Sequence, residues 1–151
     1  MDGAPVLAWR SMAGLYYRAP LSVTAEVAWD FLDRYTRAEV HVFSSCVAER
    51  SVDDYRVVSI TDGTEVWEQN ITVDPEHMRA AYRVPGLAGS EHHQAEMRIE
   101  IADGGVPHLV WVTDMLPHGL VGLLRDTYDR LFAELHAAAN AHDPAARGAH
   151  T

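Results

Sequence analysis

The sequence predicts an α+β domain in which a curved antiparallel sheet of about seven strands wraps a long C-terminal helix and leaves an internal cavity. Three features point there. Short alternating runs succeed one another from Val42 to Leu116, separated by turn formers. A strand and a helix precede them, and after Pro117 the apolar period lengthens to that of a helix able to cross the sheet. Because one helix cannot fill the hollow of so many strands, a cavity is the expected by-product and small-molecule binding its expected use.

The elements follow in order. Leu15 to Ala19 is a short apolar and aromatic run closed by Pro20, a first strand. Ser22 or Thr24 can cap the helix that follows, Glu26 suits its first turn, and Val23, Val27 and Phe31 recur every four residues as a buried stripe. Residues 34–41 read as loop or a second short helix. The strands are then expected at 42–50, 55–60, 65–73, 78–84, 92–101 and 108–116, with breaks at Asp53-Asp54, Asp62-Gly63, Asp74-Pro75, Pro85-Gly86 and Asp103-Gly104-Gly105. Beyond Pro117, Leu120, Leu124, Tyr128, Leu131 and Leu135, flanked by Val121 and Phe132, form the apolar face of a helix about 30 Å long. Residues 1–13 read as an N-terminal extension, 14–139 as one domain, and 140–151 as a disordered tail without periodicity.

Composition narrows the function. Of 151 residues 48% are apolar and 23% charged, ordinary values for a globular chain with a packed core. The net charge is −10, with 12 scattered Lys and Arg, which disfavours nucleic acid or an anionic membrane as partner and leaves a neutral or weakly polar small molecule. Cys46 is the only cysteine, so no internal disulfide forms and a reducing cytoplasm is the expected compartment. The apolar stretch from Pro5 to Trp9 is too short for a signal-peptide core or a span, so a soluble, unexported protein is expected. The nine histidines lack metal-ligand spacing, and His92 and His93 point to opposite faces of one strand. Neither a phosphate-binding glycine loop nor a serine elbow occurs, so no metal and no cofactor is expected.

Strand alternation assigns the cavity wall. Met78, Ala80, Tyr82 and Val84 share an apolar face, as do His93, Ala95, Met97, Ile99 and Ile101, and Leu109, Trp111, Thr113 and Met115. His93 is thus a polar residue among apolar ones and the leading candidate for proton transfer, against the alternative of a core histidine bonded to backbone. At the Asp62-Gly63 hairpin, a two-residue loop turns Arg56, Val58, Ile60, Trp67, Gln69, Ile71 and Val73 inward, whereas a three-residue loop with a bulge brings in Glu68 and Asn70. On the first register Arg56 and Gln69 can donate to a carbonyl or developing enolate oxygen, unless Arg56 emerges at the rim. The catalytic candidates are therefore His93, Gln69 and Arg56. Trp67, Tyr82, Met97, Trp111, Thr113, Leu124 and Tyr128 are the candidate binding residues, the aromatic ones lining a flat or polyene ligand.

Four segments carry a resemblance: Ser22 to Phe31, Asp62 to Glu68, Glu91 to Met97 and Leu109 to Pro117. In this order they resemble the polyketide cyclase/dehydratase and START-like superfamily, which shares the helix-grip fold. Phe43 to Cys46 and Trp111 to Asp114 further resemble segments of the tetracenomycin-type aromatase/cyclases, in which a pocket tyrosine and arginine steer aldol closure and dehydration. Here the tyrosine position falls on Cys46 and the arginine position on Ile71 or Gln69. The resemblance implies a lyase- or isomerase-type cyclase of secondary metabolism that folds a reactive polyketide-like chain by positioning and acid/base assistance. It also implies either a homodimer or transient contact with a biosynthetic carrier protein. A non-catalytic binding protein for a lipid, isoprenoid or polyketide is the alternative, and an assembly subunit with an exposed apolar patch a third.

Overall fold

The computed structural model describes residues 14–146. The expected N-terminal extension, 1–13, and residues 147–151 lie outside them. Strand β1 (Leu15–Pro20) and helix α1 (Ala25–Thr36) are followed by β2 (Cys46–Val52), β3 (Tyr55–Ile60), β4 (Glu65–Asp74), β5 (Arg79–Arg83), β6 (His92–Ile101), β7 (Pro107–Leu116) and helix α2 (Gly119–Asn140). All neighbours pair antiparallel in the order β1-β7-β6-β5-β4-β3-β2, the meander that short connections dictate, with β1 folded back onto β7. No helix among these residues is long and apolar enough to cross a membrane.

Thr24 caps α1, its hydroxyl accepting from the Val27 N–H at 3.2 Å, which leaves Ser22 outside the cap. The buried stripe of α1 is Ala28, Phe31, Leu32 and Tyr35, rotated from the expected Val23–Val27–Phe31 row because the larger side chains seek the core. α1 packs on β4, β5 and β6, whereas α2 packs on β1 and β7. The 22 residues of α2 reach about 33 Å, and Val121, Tyr128 and Leu135 form its most buried row at heptad spacing.

Of the residues read from the sequence as a disordered tail, Asn140 ends α2 and 141–146 turn back onto α1. The imidazole of His142 meets Asp30 at 2.8 Å, and Arg34 donates to the carbonyls of Pro144 and Ala146. These polar contacts leave no apolar period in the sequence, which is why periodicity misses them.

The aromatic side chains are not spread evenly. Tyr17 stacks on Phe132 at 5.0 Å and Trp111 lies 5.1 Å from Tyr128, so the half of the hollow under β1 and β7 is filled. The half under β3, β4 and β5 is lined by Val58, Val66 and Val84 beside Arg56, Glu68 and Tyr82. Space is left there.

Candidate functional site

Between that half of the sheet and α2 lies a cavity of about 320 Å³, within the range of small-molecule sites. Tyr82, Trp111, Leu124 and Tyr128 border it as the sequence predicts. Thr127 and Arg130, exposed residues of α2 that also border it, mark its mouth. Met97 and Thr113 are fully buried on the same sheet face but do not border the space.

The hairpin after β3 takes the longer of the two loops considered. Gly63 sits at φ 92°, a left-handed conformation in which glycine is favoured, and Ile60 pairs with Thr64 around three loop residues. The register therefore places Arg56 opposite Glu68, and the expectation that Trp67 and Gln69 face inward is corrected. Trp67 is 39% exposed on the outer face, packed edge-on to Tyr55 with Arg50 over its ring. Gln69 bridges Asp54 and Arg83 outside the cavity. A bulge between Asn70 and Thr72 follows, with Ile71 about half exposed.

Arg56 does not emerge at the rim: it is 1% exposed. Its Nη1 donates to Glu68 Oε1 at 3.1 Å, and its guanidinium lies 3.9 Å from the centre of the Tyr35 ring. Burial works against its charge, but Tyr35 and the carboxylates of Glu68 and Glu49 outweigh burial and hold it protonated. Burial raises the Glu68 carboxyl above the ordinary range, with Arg56 opposing that shift. Nε and Nη2 of Arg56, the two nitrogens of one side edge, are buried and have no acceptor among the described residues. Cys46, 8% exposed, borders the same end of the cavity, and burial pushes its thiol up.

His93 borders the cavity farther along the sheet and is 5% exposed. The Val84 N–H donates to its Nδ1 at 3.0 Å, so the neutral ring carries its proton on Nε2, which has no acceptor among the described residues. Burial lowers its pKa to about 4. With Nδ1 bonded to backbone, the neutral ring faces the cavity as a hydrogen-bond donor through Nε2. Nearby, the indole of Trp111 donates to the Tyr82 hydroxyl at 3.1 Å, fixing both rings in the wall. Among the described residues, no group of three or more His, Cys, Asp and Glu is arranged to hold a metal.

No family model and no curated protein sequence matches the chain. Solved structures do. A protein of Bacillus thuringiensis superposes with a TM-score of 0.68 at 11% identity, covering 84% of this chain and 98% of its own. The ZhuI aromatase/cyclase from Streptomyces sp. R1128 gives 0.62 at 15% identity, covering 85% and 92%. Norcoclaurine synthase from Thalictrum flavum, a point mutant in complex with a transition-state analogue, gives 0.59 at 12% identity, covering 84% and 93%. This chain has the helix-grip fold.

In this helix-grip chain the wall includes residues that sequence reasoning passed over. Tyr35 escapes because residues 34–41 are read as loop or a second short helix, whereas α1 runs on to Thr36 and carries the Phe31 row one turn further to Tyr35. Phe43 falls in the strand expected at 42–50, but β2 begins only at Cys46, and from the loop before it Phe43 packs against both Tyr35 and Trp111. Glu68 is the inward residue of the longer-loop alternative, which hydrophobic patterning ranks second because it sends a carboxylate outward, and its cross-strand pairing with Arg56 explains its position.

Proposed function

We propose that the cavity binds a hydrophobic, polyketide-like molecule and promotes its ring closure, mainly by holding the chain in a folded shape. The supporting observation is the buried Arg56–Glu68 pair bordering an otherwise largely apolar space, with one guanidinium edge unpartnered. In an aldol closure, Glu68 would take a proton from the carbon beside a carbonyl, and Arg56 would hold the resulting enolate oxygen. That carbon bonds to a second carbonyl carbon, whose oxygen becomes an alkoxide and receives the proton back from Glu68. Loss of water would follow as hydroxide plus a further α-proton. His93 would fix a remote carbonyl, and positioning of this kind contributes several kcal/mol to a barrier.

The test uses a linear poly-β-ketone thioester, with cyclised products followed by mass spectrometry against the spontaneous background. We expect a rate and product distribution distinct from background, and a loss of about a hundredfold in Glu68→Gln. A distribution identical to background contradicts the enzyme reading.

The second reading, a non-catalytic carrier of a lipid, isoprenoid or polyketide, draws on the backbone bond that occupies His93 Nδ1. It predicts retention of the ligand at unchanged mass.

A further inference from the structure

A line of side chains crosses the concave face at right angles to the strands. Arg56 pairs with Glu68, and extending the Gln69–Arg83 and Tyr82–Ala95 registers sets Glu68 opposite Val84 and Val84 opposite His93. The bond from the Val84 N–H to His93 confirms the last step. All four residues border the cavity.

The two ends of this line carry buried side-chain N–H groups that lack acceptors among the described residues, and such groups are costly until something accepts from them. The ends differ in chemistry. Arg56 offers two parallel N–H groups beside a carboxylate that can itself accept, which suits an oxygen bearing a proton to share. The His93 ring offers one N–H and, with Nδ1 occupied, no acceptor, which suits a carbonyl.

We infer that the ligand is a flat hydroxy-ketone lying across the strands, its enolic or phenolic oxygen against Arg56 and Glu68 and its carbonyl against His93. Three interstrand spacings separate the two ends, about 14 Å between backbones. Allowing a hydrogen bond at each end, and the convergence of side chains on a concave face, leaves roughly 6–8 Å between the two oxygens, the span of a fused two-ring hydroxy-ketone. This orientation rests on the cavity being the ligand site and narrows the substrate class proposed for it.

The test compares three probes of one shape: 6-hydroxy-1-tetralone, 1-tetralone and 5,6,7,8-tetrahydro-2-naphthol. Dissociation constants come from NMR titration of the full chain, with circular dichroism to show that each variant is folded. The hydroxy-ketone binds at least tenfold tighter than either one-oxygen probe. His93→Phe weakens both ketones about tenfold, one good hydrogen bond, and leaves the naphthol unchanged. His93→Gln, which keeps an N–H donor, restores part of the ketone affinity. Glu68→Gln weakens the two phenols and spares 1-tetralone. Equal weakening of all three probes by His93→Phe, no advantage for the two-oxygen probe, or no binding of any probe at millimolar concentration overturns the inference. None of these readings needs turnover, so probes that bind in this pattern, together with thioester products identical to background, support the orientation and sink the enzyme reading alone.

Discussion

The two faces of the sheet treat the same pair of residue types in opposite ways. On the outer face Arg79, Glu96, Arg98, Glu100 and Arg18 form a continuous ladder, in which Glu96 takes bonds from both Arg79 and Arg98 and Glu100 is shared by Arg98 and Arg18. These side chains are partly exposed, so water completes what the ladder leaves open. On the inner face a single arginine meets a single glutamate, and one edge of the guanidinium has no acceptor among the described residues. An outer ladder of this kind is worth little and is screened by salt. The inner pair is costly to bury, and an apolar pair of similar volume would be cheaper. The contrast teaches that the inner pair is better explained by what enters the cavity than by stability.

Breaking the inner pair on one side should have the largest effect. Arg56→Met strands Glu68 in a buried site and is expected to cost about 3–5 kcal/mol in urea denaturation, whereas Arg56→Met with Glu68→Leu recovers most of it. A double variant no more stable than the single one would mean the pair is not energetically linked.

Filling the space is the next test. Val58→Trp, or the milder Leu124→Trp at a half-buried position, should abolish probe binding, and Leu124→Trp should shift stability by about 1 kcal/mol or less. Binding that survives both variants places the site elsewhere.

His93 gives the pH-dependent contrast. Its folded pKa of about 4 lies below the ordinary value of 6.5, so between those values the unfolded chain holds more protons and stability falls as the pH drops. Allowing for solvent screening, roughly 2 kcal/mol should be lost toward pH 4, and His93→Asn should flatten that part of the curve. Superimposable curves would show that His93 is not held neutral by burial.

The smallest effect belongs outside. Arg98→Ala is expected to change stability by less than about 1 kcal/mol, the difference vanishing in high salt. A larger, salt-independent loss would make the ladder structural.

How much of this was legible in the sequence varies from strand to strand. On β6 the alternation from His93 to Ile99 runs without a bulge against polar neighbours, so the inward face could be read directly, and β7 behaves alike. On β4 both faces carry large apolar residues, Val66 on one and Trp67 on the other, and hydrophobicity alone could not choose between them. The choice was made by one φ angle at Gly63, which fixed the loop and sent Glu68 inward and Gln69 outward. Trp67 tolerates its outer position because Tyr55 and Arg50 cover much of its ring. Polar groups buried by pairing across strands, such as Glu68, leave no periodic trace, because their placement depends on a partner in another strand.

The most direct measurement is methyl-resolved NMR with 6-hydroxy-1-tetralone as probe, looking for intermolecular contacts. Contacts from the methyl groups of Val58, Val66, Val84, Leu124 and Leu131 are predicted, and Leu124→Trp should remove them. Contacts confined to exposed residues such as Val47 and Val106, unchanged in Leu124→Trp, would contradict a ligand site inside the fold.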